Sequence, residues 1–455
     1  MPGAGYDTRR TAGPVAARTG GVVEIWITPD CPPLRGPRVK EATAMTSNSA
    51  YVIVGAGLGG AKAAQTLREE GFDGPLVLIG AEHERPYERP PLSKDYLLGT
   101  KEREQVYVHP EQWYAEHDVD LRRGATVTAL DTAAHRVTLA DGRRVDYSRL
   151  LLTTGSSPRR LPVPGADLDG VLYLRRLEDS DRLKRAFRPG ASVVVIGAGW
   201  IGLETAAAAR AAGAGVVVLE SAELPLLRVL GREVAQVFAD LHRDHGVDLR
   251  FGVRISEITG DGDTADGVLL DDGTRFAADT VVVGVGITPN TGLAEGAGLE
   301  VDNGIVTDDR LRTSVPDVFA AGDVANAHHP FLGRRIRVEH WANALNQPQT
   351  AARAMLGQDV AYDRLPYFFT DQYDLGMEYT GYVEPGGYDR VVFRGSAETR
   401  EFIAFWLAGD RVLAGMNVNV WDVTEPIQAL IRSRAPIDPV RLADPQVPLE
   451  SLLPR

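Results

Sequence analysis

The pattern of apolar and polar positions repeats twice along this chain. A short run of apolar, mainly β-branched residues spans 51–54 and again 193–196. Each run leads through a turn into a segment with helical spacing, and then into a second apolar run, at 76–79 and 216–219. Such a strand–helix–strand order is typical of a parallel β-α-β unit. The pattern therefore predicts an α/β fold built around two such units.

Glycines at the same spacing occupy the turn of both units. The two sets read Gly-x-Gly-x-x-Gly and comprise Gly55, Gly57, Gly60 and Gly197, Gly199, Gly202. The first glycine permits a tight turn, the second lets a pyrophosphate approach the main chain, and the third lets the helix pack on the strand. The phosphates would lie at the positive end of the helix. One such fingerprint is a weak signal, but two in the same context predict two Rossmann-like dinucleotide-binding domains.

A carboxylate stands after the second strand of each unit, where a dinucleotide places its adenosine ribose. These residues are Glu82 and Glu220, each about 20 residues beyond the last glycine of its set. Both units continue with an Asp-Gly hairpin signal, an apolar strand and a closing glycine, which is Gly155 in the first and Gly286 in the second. The repeat of the whole pattern indicates two domains of one design.

Prolines and a change in composition predict where the domains meet. Prolines mark the crossover near 158–164, and clustered aromatic residues with short alternating strands begin at about 366. The expected divisions are 1–47 as a disordered N-terminal extension, 48–158 and 287–365 as two segments of the first domain, 159–286 as the second domain, and 366–455 as an α+β domain with an extended tail. Within the extension, Met45 is a candidate start of translation, six residues before the first strand, and a targeting role for residues 1–44 is the alternative.

Composition narrows the class of protein. The chain has 455 residues, a formal net charge of −13 and a single cysteine, Cys31. The negative charge argues against nucleic acid and anionic membranes as partners, and no apolar run reaches the roughly 18 residues of a transmembrane helix. One cysteine excludes an intrachain disulfide and a metal site of several thiolates, and it indicates a cytoplasmic protein. We expect a monomer or a homodimer.

Further residues carry candidate chemistry outside the glycine turns. Arg89 and Lys94 flank a Pro-Pro-Leu-Ser segment, and these cations either belong to a solvated loop or face an electron-rich cofactor. Asp323 follows a buried strand, at the edge where such sheets bind ligands. A helix is expected beyond Glu339, with a kink or a restart at Pro348. Residues 101–124 are also expected to be helical.

The order of these motifs resembles a known family. Along the chain it runs from the first glycine fingerprint through Arg-Pro-Pro-Leu-Ser-Lys94, Thr154-Gly155, the second fingerprint with Glu204, Gly286-Ile-Thr-Pro-Asn, Ala-Gly-Asp323 and Glu339-His-Trp341. This order resembles the two-dinucleotide-domain flavoproteins related to glutathione reductase. Within them it most resembles the FAD-dependent NADH:ferredoxin reductases that serve bacterial cytochrome P450s and ring-hydroxylating dioxygenases. The stretch at 369–374 resembles the third-domain signature of that branch, although Phe369 stands where the signature usually has Trp.

The resemblance implies FAD in the first domain and NADH in the second. Lys94 and Glu204 would form a catalytic pair near flavin N5, and burying either charge alone would be costly. Arg89 and Lys94 would line the flavin, Asp323 would contact the ribityl chain, and Trp341 would lie beside the isoalloxazine ring. The implied cofactor-binding residues are Gly55, Gly57, Gly60, Glu82, Arg89, Lys94, Thr154, Gly155, Gly197, Gly199, Gly202, Glu204, Glu220, Gly286, Asp323, Glu339 and Trp341.

The nicotinamide cofactor is expected to be NADH rather than NADPH. The carboxylate of Glu220 suits a ribose diol and repels a 2′-phosphate, and no arginine follows before Arg228. The resemblance further implies hydride transfer from NADH to FAD, followed by single electrons to a ferredoxin or a similar iron–sulfur protein. Arg334, Arg335 and Arg337 are candidates for a basic patch that docks this acidic partner, or else they belong to a solvated loop.

Three alternatives share the two fingerprints. A membrane NADH:quinone reductase would need an apolar or amphipathic C-terminal anchor, whereas residues 442–455 are rich in proline and partly acidic. An NADH-sensing protein similar to apoptosis-inducing factor would turn over slowly with every acceptor. A flavin oxidase would reduce oxygen quickly without a partner. A thiol reductase is excluded, because Cys31 precedes the first strand and cannot lie beside the flavin.

Overall fold

The computed structural model describes residues 50–454. The expected disordered extension at 1–47, which includes Cys31 and Met45, lies outside these described residues. Within 50–454, no helix is both long enough and apolar enough to cross a membrane. The description below therefore begins at the first strand of the first predicted unit.

The chain first builds a β-α-β unit and the hairpin beyond it. In chain order the elements are β1 Ala50–Val54, α1 Leu58–Glu69, β2 Leu76–Ile79, α2 Asp95–Leu98, α3 Glu111–Glu116, β3 Val119–Arg122, β4 Val127–Asp131, β5 Arg136–Leu139, β6 Arg144–Leu152 and β7 Ser156–Pro158. The sheet order is β3-β2-β1-β6-β5-β4, and β1 pairs in parallel with both β2 and β6. The first strand–helix–strand prediction is confirmed.

Residues 101–124 are only partly helical, which corrects the prediction. A 3-10 helix covers Arg103–Val106, α3 is short, and β3 then pairs in parallel with β2. Because β3 lies at the edge of the sheet, Val119 is its only fully buried residue. Edge strands tolerate charged side chains, so this strand carries no apolar signal in the sequence.

The second unit repeats the design of the first. Its elements are β8 Val171–Leu172, α4 Leu177–Ala186, β9 Ser192–Ile196, α5 Trp200–Ala211, β10 Gly215–Glu220, α6 Leu227–Asp244, β11 Asp248–Phe251, β12 Ile255–Asp261, β13 Thr264–Leu270, β14 Arg275–Ala277 and β15 Thr280–Val283. A parallel sheet has the order β11-β10-β9-β15-β8, and β12-β13-β14 form an antiparallel sheet beside it. The second predicted unit is confirmed as well.

The chain then crosses back to the first sheet. This segment contains β16 Ile287–Pro289, α7 Gly292–Gly296, β17 Ile305–Thr307, β18 Val318–Ala320, β19 Ala325–His329, β20 Arg334–Ile336 and α8 Trp341–Met355. The two crossings pair with each other, because β16 runs antiparallel to β7. β18 joins the first sheet in parallel with β6. The first sheet is therefore assembled from two separate parts of the chain.

Helix α8 continues through Pro348, which corrects the predicted restart of the helix. Proline removes one hydrogen bond, the bond that would reach the carbonyl of Ala344. That carbonyl faces Gly59 of α1, where a side-chain Cβ would lie 3.5 Å from the oxygen and 3.1 Å from the Pro348 ring. The close contact between α1 and α8 therefore holds the helix together where its own hydrogen bonding is interrupted.

The last part of the chain is an antiparallel sheet covered by a helix. It contains β21 Tyr367–Gln372, β22 Leu375–Gly381, β23 Arg390–Ser396, β24 Glu401–Ala408, β25 Arg411–Val418, α9 Thr424–Ser433 and α10 Pro439–Ala443. The sheet order is β21-β22-β25-β24-β23. The predicted α+β character is confirmed. The tail is not simply extended, because Asp438 caps α10 through the Val440 N–H, 2.9 Å away, and a second short helix covers Leu449–Leu452.

The second unit and the C-terminal sheet share one hydrophobic core. Phe238 of α6 and Val195 of β9 belong to the same buried cluster as Phe402 and Trp406 of β24. The indole N–H of Trp406 donates to the Leu230 carbonyl at 3.1 Å. These contacts fix β21, at the edge of the C-terminal sheet, against the helices that follow the second glycine turn.

Candidate functional site

The first glycine turn has the geometry that its spacing predicts. Gly55 has a φ of +119°, which favours glycine, and a Cβ on Gly60 would lie only 2.1 Å from the Gly55 carbonyl oxygen. A Cβ on Gly57 would meet nothing within 4 Å. Gly57 thus faces open space at the N-terminus of α1, where main-chain N–H groups can hold an anion.

The second glycine turn repeats this arrangement closely. Gly197 has a φ of +98°, and a Cβ on Gly202 would lie 2.0 Å from the Gly197 carbonyl oxygen. Gly199 again faces open space. At the end of β10, Glu220 accepts hydrogen bonds from the N–H groups of Ala198, at 2.7 Å, and Ala222, at 2.8 Å. The carboxylate of Glu220 is therefore held beside the second turn.

Glu82, which follows β2, is held as an anion. Its carboxylate accepts hydrogen bonds from Arg89 at 2.9 Å and from the Tyr87 hydroxyl at 2.5 Å. Burial alone would raise the pKa of Glu82, but the Arg89 charge and the two hydrogen bonds together lower that pKa below its usual value. Arg89 and Lys94 consequently contact different carboxylates, although both were expected to line the flavin.

Asp323 is paired with an arginine that the sequence motifs did not single out. Arg175 Nη2 lies 3.1 Å from Asp323 Oδ2 and would lie 3.1 Å from a Cβ on Gly155. Arg89 also donates to the Arg175 carbonyl, so the two arginines and two acidic residues form one group. Burial lowers the pKa of Arg175. Its signal in the sequence was its place shortly after β8, at the carboxyl edge of the second sheet.

Lys94 and Glu204 form a buried ion pair where three parts of the chain meet. Lys94 Nζ donates to Glu204 Oε1 at 2.6 Å, and the side chains are 11% and 4% exposed. Thr370 of β21 donates to the same oxygen at 2.6 Å, and Ser93 donates to the other. Three donors therefore compensate the carboxylate for the loss of water. Glu204 lies on the buried face of α5, two residues beyond Gly202.

Trp341 lies near this pair with an unpartnered donor. Its ring makes an edge contact with Phe369, with 5.9 Å between centroids, and Lys94 Nζ lies 5.4 Å from the Phe369 centroid. Among the described residues, no acceptor bonds the buried Trp341 Nε1. A buried N–H without a partner is costly. The free donor and the neighbouring edge-on aromatic pair are suited to a bound ring system.

The predicted three-arginine docking patch is wrong for Arg337. The Arg337 side chain is only 9% exposed, pairs with Glu339 and donates to the Asp323 carbonyl at 3.2 Å. Arg334 pairs with Glu384, and Arg335 is exposed. Burial raises the pKa of Glu339, and the Arg337 charge opposes that rise. Arg337 thus belongs to the interior beside Asp323.

The two crossings between the sheets are locked by the expected motifs. Thr154 donates through its hydroxyl to the Asn290 carbonyl at 2.9 Å, and the Asn290 amide donates back to the Thr154 carbonyl at 2.8 Å. Gly286 has a φ of +102° at the start of the second crossing. Thr154 and Gly286 therefore hold the junction between the two domains, and Gly155 lies there against Arg175.

The described residues fit two dinucleotides. Each glycine turn offers open space at a helix N-terminus, and a carboxylate follows the second strand of each unit. The first domain adds buried cations, the Asp323 group and the free Trp341 N–H, which suit FAD and its ring system. Within residues 50–454, no cation pairs with Glu220 beside the second turn, which suits an unphosphorylated ribose and hence NADH.

Relatives of known identity match over nearly the whole chain. Putidaredoxin reductase of Pseudomonas putida is 40% identical over 414 residues, which cover 90% of this chain and 98% of that protein. Rhodocoxin reductase of Rhodococcus erythropolis is 38% identical over 404 residues, covering 89% and 94%. Among solved structures, the covalent putidaredoxin reductase–putidaredoxin complex matches with a TM-score of 0.85 at 39% identity, covering 90% of this chain and 98% of that one.

Two family models divide the chain as its sheets do. Pyridine nucleotide-disulphide oxidoreductase matches residues 49–348, and the reductase C-terminal family matches residues 367–453. A ferredoxin reductase from Rhodopseudomonas palustris, with a TM-score of 0.85 at 36% identity over 89% of this chain and 99% of that one, agrees with both. The chain therefore belongs to the pyridine nucleotide-disulphide oxidoreductase family, among the ferredoxin reductases that carry the reductase C-terminal domain.

Proposed function

We propose that this protein oxidises NADH and passes the electrons through FAD, one at a time, to a 2Fe–2S ferredoxin or a similar iron–sulfur protein that supplies an oxygenase, for example one of the cytochrome P450s. The observation that carries the proposal is the buried Lys94–Glu204 pair. It joins the first domain to α5, the helix that follows the second glycine turn. A buried charge pair in that position favours a role at the reacting centre over a purely structural one.

The chain contributes position and charge to this reaction. FAD held in the first domain would supply hydride acceptance and single-electron release, the chemistry that side chains do not provide. Gly57 and Gly199 leave room for the pyrophosphates at two helix N-termini. Lys94 supplies a fixed positive charge, because Glu204 holds its ammonium group in place. No side chain is needed as an acid, a base or a nucleophile for hydride transfer.

The electron acceptor is proposed to be a separate protein. The chain has one cysteine, whereas iron–sulfur clusters are held by several. Relatives include a putidaredoxin reductase, and a covalent complex of that reductase with putidaredoxin has been solved. The cofactor-binding residues implied by the motifs belong to this proposal, with Arg175 added. The cytoplasmic location expected from the cysteine content, and the monomeric or homodimeric state, belong to it as well.

Stopped-flow reduction of the purified protein tests the proposal. NADH is expected to bleach the flavin absorbance faster than NADPH at equal concentration. Cytochrome c reduction is then assayed with and without an added 2Fe–2S ferredoxin, and it is expected to depend on the ferredoxin. Slow bleaching by NADH, or cytochrome c reduction that the ferredoxin does not change, would instead favour an NADH sensor or a quinone reductase. Rapid oxygen consumption without a partner would favour an oxidase.

A further inference from the structure

A chain of buried hydrogen bonds leads away from Glu204 into the C-terminal domain and back to the second domain. Thr370 Oγ1 lies 2.6 Å from Glu204 Oε1, and Gln372 Nε2 lies 3.2 Å from Thr370 Oγ1. His242 Nε2 lies 2.8 Å from Gln372 Oε1, and the Tyr373 hydroxyl lies 3.4 Å from His242 Nδ1. Thr370, Gln372 and His242 are each at most 1% exposed.

The donor and acceptor properties of these groups determine which one donates in each hydrogen bond of this series. An ionised carboxylate only accepts hydrogen bonds, so the Thr370 hydroxyl must donate to Glu204. The Thr370 oxygen then accepts from the Gln372 amide N–H, which leaves the Gln372 carbonyl facing His242. His242 must consequently carry its proton on Nε2 and accept from Tyr373 at Nδ1. If the other tautomer formed, Gln372 would have to rotate its amide, and Thr370 would donate to Gln372 instead of Glu204.

The fold explains why these residues meet. Thr370 and Gln372 alternate along β21, so both face inward from the C-terminal sheet. His242 lies near the end of α6, and the shared core holds α6 against this sheet. Burial also lowers the pKa of His242 to about 4, so its imidazole is neutral near pH 7. The hydrogen-bonded chain is therefore buried and uncharged between Glu204 and Tyr373.

We propose that Thr370, Gln372 and His242 are positioning residues that hold the Glu204 carboxylate toward Lys94 and thereby set how readily the flavin is reduced. The inference rests on the proposed function, because it takes Lys94 to lie beside the flavin. The amide of Gln372 is the reason to assign these residues an orienting role and not proton conduction. An amide passes a proton only by becoming its imidic acid tautomer, whereas it orients its neighbours without any such change.

Substitutions of Thr370 and His242, toward the two ends of the hydrogen-bond chain, test the proposal. Thr370→Val and His242→Leu remove donors, whereas Thr370→Ser and His242→Gln keep one. Thr380→Val is the matched control. Thr380 is similarly buried on the neighbouring strand, and its hydroxyl does not belong to the hydrogen-bond chain that leads from Glu204. We expect Thr370→Val to slow hydride transfer from NADH about tenfold, the scale of one hydrogen bond to a charged group. Its flavin midpoint potential should shift as well, while Thr370→Ser and Thr380→Val keep both near wild type.

A double-substitution cycle separates positioning from general damage. In a Glu204→Gln background, Thr370→Val is expected to have no further effect on the midpoint potential, since its target carboxylate is gone. Equal effects of Thr370→Val with and without Glu204 would overturn the proposal. Thermal unfolding of the same variants shows whether each one folds. If His242→Leu does not fold, the comparison of Thr370→Val with Thr370→Ser still decides.

Nuclear magnetic resonance of histidine-labelled protein gives a readout that needs no turnover. His242 is identified as the signal missing from His242→Gln, and it is expected to show one neutral, Nε2-protonated form between about pH 5.5 and pH 8. A charged or Nδ1-protonated ring would contradict the assigned direction of the chain. Failure of ferredoxin-dependent turnover would count against the proposed function alone, because hydride transfer, midpoint potential and tautomer are measured without ferredoxin.

Discussion

Glu204 and Lys94 depend on each other for their burial. Each charge has lost most of its water, and each is compensated mainly by the other and by the hydroxyl groups of Ser93 and Thr370. Removing one partner of a buried pair leaves the other charge uncompensated, whereas removing both leaves no buried charge and only two hydroxyl groups without their acceptor. The pair should therefore be sensitive to single substitutions and tolerant of a double one.

Single removal of Glu204 is expected to cost more stability than removal of the whole pair. Glu204→Leu should lower the free energy of unfolding by about 3 kcal/mol, and Lys94→Met/Glu204→Leu should recover part of that loss. Urea unfolding of the FAD-free proteins measures both. If the double variant is the less stable of the two, the ion pair contributes more than the compensation of two buried charges.

Glu220 is expected to determine the choice of nicotinamide cofactor. Glu220→Ala removes the charge that repels a 2′-phosphate, so kcat/KM for NADPH relative to NADH should rise about tenfold, equivalent to about 1.4 kcal/mol. Glu223→Ala is the control, since Glu223 is close in sequence, 71% exposed and paired with Arg232. A ratio that stays at the wild-type value in Glu220→Ala would remove the argument for NADH from this carboxylate.

The strand–turn–helix elements show how glycines at fixed spacing have separate tasks. Gly202 has no room for a side chain, because a Cβ would strike the backbone of the turn itself, whereas Gly199 has open space in front of it. Backbone atoms cannot yield as a flexible side chain can. One glycine is therefore required for folding of the element, and the other is required only when a pyrophosphate occupies the space.

Alanine at these two positions is expected to separate folding from binding. Gly202→Ala should lower the free energy of unfolding by about 3 kcal/mol. Gly199→Ala should unfold like wild type and yet raise the KM for NADH, because its methyl group enters the space for the pyrophosphate. Thermal unfolding and steady-state kinetics measure the two effects. A Gly199→Ala protein with an unchanged KM would show that NADH does not approach this turn.

A single hydrophobic core joins the second domain to the C-terminal domain. His242 is buried where these two domains meet. The pKa of His242 is lowered to about 4 by burial, while unfolded histidine titrates near pH 6.5. Below about pH 6.5 the unfolded chain binds a proton that the folded chain does not. The contribution to stability is therefore complete above pH 6.5 and is lost as the pH falls toward 4.

Acid should destabilise the wild-type protein more steeply than His242→Gln. Between about pH 6 and pH 4.5, the free energy of unfolding should fall more steeply in the wild type, by a difference that approaches about 1.4 kcal/mol per pH unit. This is the slope expected when unfolding takes up one proton. Urea unfolding at several pH values measures it. His245 and Tyr373 face the His242 ring and are present in both proteins. The pKa values of His109 and His340 are also lowered to about 4, and because both proteins contain these residues, their contributions to the slope cancel. Parallel curves would show that His242 takes up its proton in the folded state.

Periodicity and short-range spacing were sufficient for the two β-α-β units, both glycine turns and the carboxylates beside them. These features are local, since a strand, a tight turn and a helix are each specified by neighbouring residues. The sequence signals failed where position in the sheet or contact with a distant element decides the outcome. β3 is polar because it is an edge strand, and α8 continues through Pro348 because α1 supports it.

The candidate site likewise has residues that the sequence indicated and contacts that only the tertiary structure determined. Spacing along the chain singled out Glu82 and Glu220. The resemblance of the motif order to a known family implied the Lys94–Glu204 pair, FAD, NADH and the ferredoxin reductase class. Packing between domains determines the rest. It places Arg175 against Asp323, turns Arg337 inward, and joins Thr370, Gln372 and His242 to Glu204. Those partners are far apart in sequence, and no local pattern records which buried faces will meet when three sheets pack together.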